Sequence, residues 1–154
     1  MISKHISEKE ATKSVTALRL GLDNTPDGDT LNNMKIVAEK VFEPLREYVG
    51  GAIKINSFYR SSALNEAIGG STRSQHCKGQ AMDIDDIYGH KTNKEMFNWI
   101  KDNLDFDQMI WEFGNEDNPD WVHVSYVSED KNRNRILKAV RDEGKTKYID
   151  ITNV

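Results

Sequence analysis

Two separated stretches constrain this chain more than anything else in it. One is Ser74-Gln75-His76-Cys77-Lys78-Gly79-Gln80-Ala81-Met82-Asp83, the other Asp120-Trp121-Val122-His123-Val124-Ser125, and together they hold two of the four histidines. Each runs into an alternating apolar and polar pattern that predicts a β-strand. Side chains alternate across a strand, so Ala81, Asp83 and Asp85 share one face and Met82 and Ile84 the other. In the second stretch Trp121, His123 and Ser125 share a face, opposite Val122, Val124 and Tyr126. If the two strands are neighbours, Asp83 and His123 project from the same side of the sheet. Gly79 frees the intervening loop to fold back and bring His76 to the same point, and small Ala81 leaves room beneath it. Two imidazoles and one carboxylate make a catalytic zinc set with a position left open for water. The expected ligands are therefore His76, Asp83 and His123. The single cysteine, Cys77, excludes both an internal disulfide and a multi-cysteine metal site, and it reads as a small loop residue.

Metal-assisted hydrolysis also needs a group to take the proton of the attacking water. Asp120, three residues before His123, is the first candidate, and Glu112, on the preceding predicted strand, is the second. Arg60 follows directly after the first predicted strand, where it suits a substrate carboxylate or a developing oxyanion. His5 and His90 have no acidic or histidine partner at useful spacing and read as surface residues. Trp99 and Trp111 read as core, and Trp121 as either core or cleft wall.

Around these stretches the pattern predicts one α+β domain over residues 1–154, with a mainly antiparallel sheet flanked by helices. The first thirty residues are polar, with scattered apolar positions and a turn cluster at Asn24 to Asp29. A helix is expected from Leu31 to Tyr48, capped by Asp29 or Thr30, kinked at Pro44 and ended by Gly50-Gly51. Ala52 to Phe58 reads as a strand, Ser61 or Ser62 through Ile68 as a short helix, Ser71 to Gly79 as a loop and Gln80 to Ile84 as a strand. Thr92-Asn93-Lys94-Glu95 is a capping-box signature opening a helix with Met96, Phe97, Ile100 and Leu104 inward. Gln108 to Phe113 and Trp121 to Val127 are expected to pair as an antiparallel hairpin across a short polar loop. Asn132 to Glu143 reads as a surface helix and Lys147 to Ile151 as a short edge strand.

Hydrophobic residues make up 37% of the chain and charged residues 30%, which excludes a disordered chain. No apolar run approaches the roughly 20 residues of a membrane helix, so no membrane partner is expected. A formal charge of −4 leaves no basic footprint for nucleic acid. Met1 to Glu8 lacks the charged-then-apolar pattern of a signal peptide, so synthesis in the cytoplasm is expected. Nothing in the pattern demands more than a monomer.

The residues together resemble the zinc D-alanyl-D-alanine carboxypeptidase and L-alanyl-D-glutamate endopeptidase family, within a wider group that includes the hedgehog signalling domain. The signature S-x-H-x-x-G-x-A-x-D followed by [D/E]-x-x-H is matched by Ser74, His76, Gly79, Ala81, Asp83, Asp120 and His123. Asn56 to Ser61 is similar to the family's N-S-x-Y-R-S segment, and the tracts Gln108 to Glu112 and Trp121 to Tyr126 fit as well. The resemblance implies a hedgehog-like peptidase fold and a Zn²⁺ ion held by His76, Asp83 and His123. It also implies Asp120 as acid/base, Arg60 as the substrate or oxyanion contact, and peptidoglycan stem peptides or cross-links as substrate. Some relatives keep a further histidine shortly before the D-x-x-H, whereas Glu116 to Pro119 offers only acids, Asn and Pro. Asn118 is the partial substitute there. The implied role is that of a phage or prophage endolysin, released through a holin or carried on a virion. A cytoplasmic dipeptidase is the nearest enzymatic rival. A zinc-stabilised binding domain without turnover is the alternative from another class, against which Asp120 and Arg60 both argue.

Overall fold

Pro44 decides how the long N-terminal helix is built. A proline inside a helix lacks the N–H that would bond the preceding turn, and its ring clashes there. In the computed structural model, which describes residues 1–153, the helix absorbs this with a π-helical turn. Helix α3 covers Gly28–Val37, the wide turn Ala38–Phe42, and helix α4 Glu43–Val49 with Pro44 in its first turn. The Glu43 N–H reaches back five residues to the Ala38 carbonyl, the π pattern. The start lies earlier than the apolar pattern alone suggests: Asp27 caps α3 by accepting from the Thr30 N–H at 2.8 Å. Ahead of it lie two short helices that the polar N-terminal pattern does not reveal, α1 (Glu8–Thr12) and α2 (Val15–Leu20).

The remaining helices are α5 (Ser62–Ala67) and α6 (Asn93–Asn103). Helix α6 opens on the full capping box between Thr92 and Glu95, and buries Met96, Phe97 and Ile100. The strands are β1 (Lys54–Ser57), β2 (Ala81–Asp85), β3 (Gln108–Glu112), β4 (Trp121–Ser125), β5 (Arg135–Asp142) and β6 (Lys145–Asp150). They form one six-stranded sheet in the order β1-β2-β4-β3-β5-β6. All neighbours are antiparallel except β3 and β5, so the expected mainly antiparallel α+β domain is found.

One element differs in kind. The pattern predicts a surface helix over residues 132–143, yet Arg135–Asp142 is strand β5, parallel to β3. The spacing of Ile136, Leu137 and Val140 fits a helix, but it fits equally a strand covered on both faces. Ile136 joins the main core, while Leu137 and Ala139 pack with Ile110 on the opposite side. Glu143 and Gly144, at φ 52° and 79°, then turn the chain into β6, the edge strand expected at the C-terminus.

The sheet has two chemically distinct faces. Met82, Ile84, Met109, Trp111, Val122, Val124 and Ile136 pack with Met34, Val37, Val41 and Leu45 of the long helix and with α6. The other face presents Asp83, His123, Ile110, Glu112 and Leu137 to an open cleft. No helix among the described residues is long and apolar enough to cross a membrane.

Candidate metal centre and cleft

Strand pairing brings the two sequence stretches together. β2 and β4 are antiparallel neighbours with Asp83 directly opposite His123, so both side chains leave the sheet on one face. His123 Nδ1 lies 3.0 Å from Asp83 Oδ1, and His76 Nε2 lies 3.3 Å from Asp83 Oδ2. The two imidazoles meet edge to face at 5.2 Å between centroids. One candidate ligand atom from each of the three residues falls within 4.8 Å of the other two.

The loop that delivers His76 is a 3₁₀ turn, Gln75–Lys78. Ser74 caps it by accepting from the His76 N–H at 3.2 Å. Gly79 closes it at φ 69°, where a Cβ would sit 2.6 Å from Met34 and 2.7 Å from the Thr30 carbonyl, so no other residue fits. His76 is 2% exposed, and its Nδ1 lies 2.7 Å from the Phe58 carbonyl. A carbonyl can only accept, so Nδ1 carries the proton and Nε2 of the neutral ring presents its lone pair. Burial lowers the pKa of this imidazole, against the pull of Asp83. Its Nε2 is buried with no hydrogen-bond donor. Burial works to raise the Asp83 carboxyl, but the neighbouring imidazoles, His76 first and then His123, outweigh it and hold the carboxyl well below the ordinary carboxylate range. The His76 Nε2 lone pair and the Asp83 oxygen 3.3 Å from it repel each other unless a cation stands between them. The donor set, imidazole and carboxylate without thiolate, therefore fits a metal ion such as zinc.

Glu112 lies on the same face. Strand β3 pairs Ile110 with His123 and Glu112 with Trp121, so Glu112 follows the phase of Asp83 and His123. The residue is 7% exposed and lines the cleft, and no donor among the described residues bonds its carboxylate. Burial pushes its pKa up to about 7; His123 opposes the shift and Asp83 adds to it. Asp120 does not join the group. It stands one residue before β4, out of phase with His123, and it is exposed and absent from the cleft lining. Its N–H donates to the Glu112 carbonyl at 2.9 Å, and its own carbonyl accepts from Asn93. Asn118 is also exposed, and its side chain caps the Lys94 N–H at the start of α6.

Arg60 does face the cleft. Its backbone N–H donates to the His76 carbonyl at 3.2 Å, its Nη2 lies 3.5 Å from Ser74 Oγ, and its Nε is buried without an acceptor. Asn24 fixes the turn that carries it, donating to the Tyr59 carbonyl and accepting from the Ser61 N–H. Trp121 is cleft wall, not core, and Trp111 is core as expected; Trp99 is half-buried and stacks on Tyr48. His90 is exposed; His5, also exposed, pairs with Glu43.

Several contributors escape a reading of the sequence. Asp107 is 2% exposed and receives Gln75 Nε2 at 2.9 Å and a two-point contact from Arg133, at 3.0 and 2.8 Å. It thereby ties the histidine-bearing turn to the segment that leads into β5. Burial works to raise its carboxyl, but the bonds from Arg133 and Gln75 outweigh it and hold the pKa low. Arg133 is half exposed, which discounts the ion pair. Asp107→Asn should therefore cost about 2 kcal/mol at neutral pH. The native pKa lies below the ordinary 3.8, so this stability is present above that pH and lost as pH falls below it. Denaturant unfolding of both proteins at pH 7 and pH 3 checks this, the difference shrinking at the lower pH.

The cleft encloses about 690 Å³. Arg60, Arg73, Lys78 and Arg133 line it together with Trp121, Phe113, Leu137, Thr146 and Tyr148. The Peptidase M15 family model matches residues 4–125, and the chain belongs to that family. No curated protein matches it.

Proposed function

We propose that this M15 peptidase is a zinc-dependent hydrolase of peptidoglycan stem peptides or cross-links, of the D-Ala-D-Ala carboxypeptidase or L-Ala-D-Glu endopeptidase type. The observation that carries the reading is the unpartnered, buried Nε2 of His76 facing an ionised Asp83 beside His123, with a buried carboxylate on the same sheet face. His76, Asp83 and His123 would hold the metal, which when bound polarises the scissile carbonyl and acidifies water. Glu112 takes the proton from the attacking water and delivers it to the departing amine nitrogen. We prefer Glu112 to Asp120 because it alone of the two lines the cleft. Arg60, with a free Nε, holds the substrate's carboxylate or the oxyanion. The basic lining of Arg60, Arg73, Lys78 and Arg133 suits stem peptides, which carry free carboxylates. Release through a holin or carriage on a virion, as for an endolysin, is the corresponding biological role.

The test is digestion of purified peptidoglycan by the zinc-loaded protein, with and without chelator, and mass spectrometry of new termini. Free D-Ala identifies a carboxypeptidase and a new D-Glu amino terminus an endopeptidase. Stoichiometric zinc with no new terminus would instead favour a zinc-stabilised binding domain. Asp120→Asn should leave turnover within a few-fold of the parent, and a loss on the scale expected for a general base would return that role to Asp120.

A further inference from the structure

The family match ends at residue 125, yet one wall of the cleft is built by the C-terminal ribbon beyond it. Strand β5 pairs in parallel with β3, setting Ala139 beside Glu112, and β6 sets Tyr148 beside Ala139. Residues paired across neighbouring strands point to the same face. A single rung of the sheet therefore runs Trp121, Glu112, Ala139, Tyr148, with all four side chains on the face that carries His123 and Asp83. Adjacent strands are about 4.8 Å apart, so the Tyr148 backbone lies about 10 Å from that of Glu112. Ala139, the residue between them on the rung, is fully buried in a small cluster with Ile110, Leu137 and Phe113, and Tyr148 and Glu112 both line the cleft. Tyr148 lines the cleft, yet it is 55% exposed and makes no hydrogen bond through its phenol among the described residues.

Near the tip of this ribbon Arg141 stacks 4.5 Å over the Phe113 ring, and midway along β5 Lys138 pairs with the exposed Glu116. A donor carried on a braced strand suits transition-state stabilisation better than one on a free loop. The companion donor expected ahead of His123 is missing, since Asn118 is engaged in capping α6.

We infer that Tyr148 is a substrate-contacting residue whose phenol donates a hydrogen bond to the oxygen that becomes charged as the scissile carbonyl turns tetrahedral. This rests on the peptidase reading. The phenol stays a donor at neutral pH, because partial burial and the nearby charges of Glu112 and Asp83 raise its pKa. The C-terminal ribbon is thus part of the machinery although it lies outside the family match.

Tyr148→Phe removes one oxygen atom and nothing that packs, so fold and zinc content should stay unchanged. Two measurements on the zinc-loaded protein decide the matter. The first is kcat and KM on the stem peptide. The second is calorimetric binding of phosphinate analogues of D-Ala-D-Ala and L-Ala-D-Glu, whose tetrahedral oxygens mimic the adduct. The variant should lose roughly 100-fold in kcat with KM little changed. It should also bind the phosphinate roughly 10-fold or more weakly. Equal phosphinate affinity in both proteins, with the parent active, would overturn the role of Tyr148 and leave the peptidase intact. A rise in KM alone would reduce Tyr148 to a ground-state contact and also overturn the inference. A parent that neither cleaves the peptide nor binds either phosphinate would remove the peptidase reading, and this inference with it.

Discussion

Glu112→Gln should abolish turnover while leaving zinc in place, and in the metal-free protein it should raise stability. The first effect comes from position. Glu112 is the cleft-lining carboxylate in phase with Asp83 and His123 that takes no part in the ligand cluster, and its oxygens are free of donors. An amide of the same shape cannot accept the proton of the attacking water, so kcat should fall by about 10²–10⁴-fold. The second effect comes from burial. The native carboxyl has a pKa of about 7 against an ordinary 4.5. A raised acid gives its full contribution below pH 4.5 and loses it as pH rises to 7. The amide does not titrate. In metal-free protein the variant and the parent should therefore differ little at pH 4 and diverge between pH 4.5 and 7. Above that window the variant should be more stable by at most about 3 kcal/mol. A metal cation beside the carboxylate opposes the shift, so the gap should narrow when zinc is bound. Thermal unfolding at pH 4 and pH 8, with and without metal, reads all four states. A variant that loses zinc along with activity would instead make Glu112 a ligand.

His76→Ala should cost both the metal and part of the fold, whereas His123→Ala should cost chiefly the metal. Removing a ligand outright should weaken zinc by more than the ~10–100-fold typical of losing a partner behind a ligand. The structural cost differs because the two rings are held differently. His76 is fully buried and donates to the Phe58 carbonyl, beside the bulge in β1. Its loss leaves that carbonyl unpaired and opens a cavity, a combined cost of about 2–4 kcal/mol in the metal-free protein. His123 projects from the sheet into the cleft and its ring bonds only Asp83, so truncation opens no enclosed space. Zinc stoichiometry and urea unfolding of the two metal-free variants make the comparison. Equal stability in both would mean that the His76–Phe58 contact contributes nothing to the fold.

The meeting of Asp83 and His123 was legible in the sequence because it depends on strand parity. Once Gln80 to Ile84 and Trp121 to Val127 are read as strands, the faces of Asp83 and His123 within each strand are set, and the pairing of the two strands puts both on one side. The same rule, applied backward one more step, removes Asp120 from the face of His123 and favours Glu112. Spacing in the D-x-x-H motif points to Asp120, and phase along the strand points to Glu112. The C-terminal wall was hidden for a different reason. Ile136, Leu137 and Val140 sit at a spacing that a helix and a doubly covered strand both satisfy, and only pairing with β3 decides between them. Read as a helix, that segment cannot bring Tyr148 to the cleft. Asp107 was invisible because its partners, Gln75 and Arg133, lie 32 and 26 residues away in the chain.

The peptidase reading stands or falls with one metal ion held by His76, Asp83 and His123. The decisive measurement is titration of zinc into the metal-stripped protein while hydrolysis of a peptidoglycan stem peptide is monitored. Hydrolysis should be absent at the start, rise in proportion to added zinc and level off at one equivalent. The same titration of His123→Ala should stay flat. Hydrolysis by the stripped protein, or none at one bound equivalent, would rule that metal out as the source of activity.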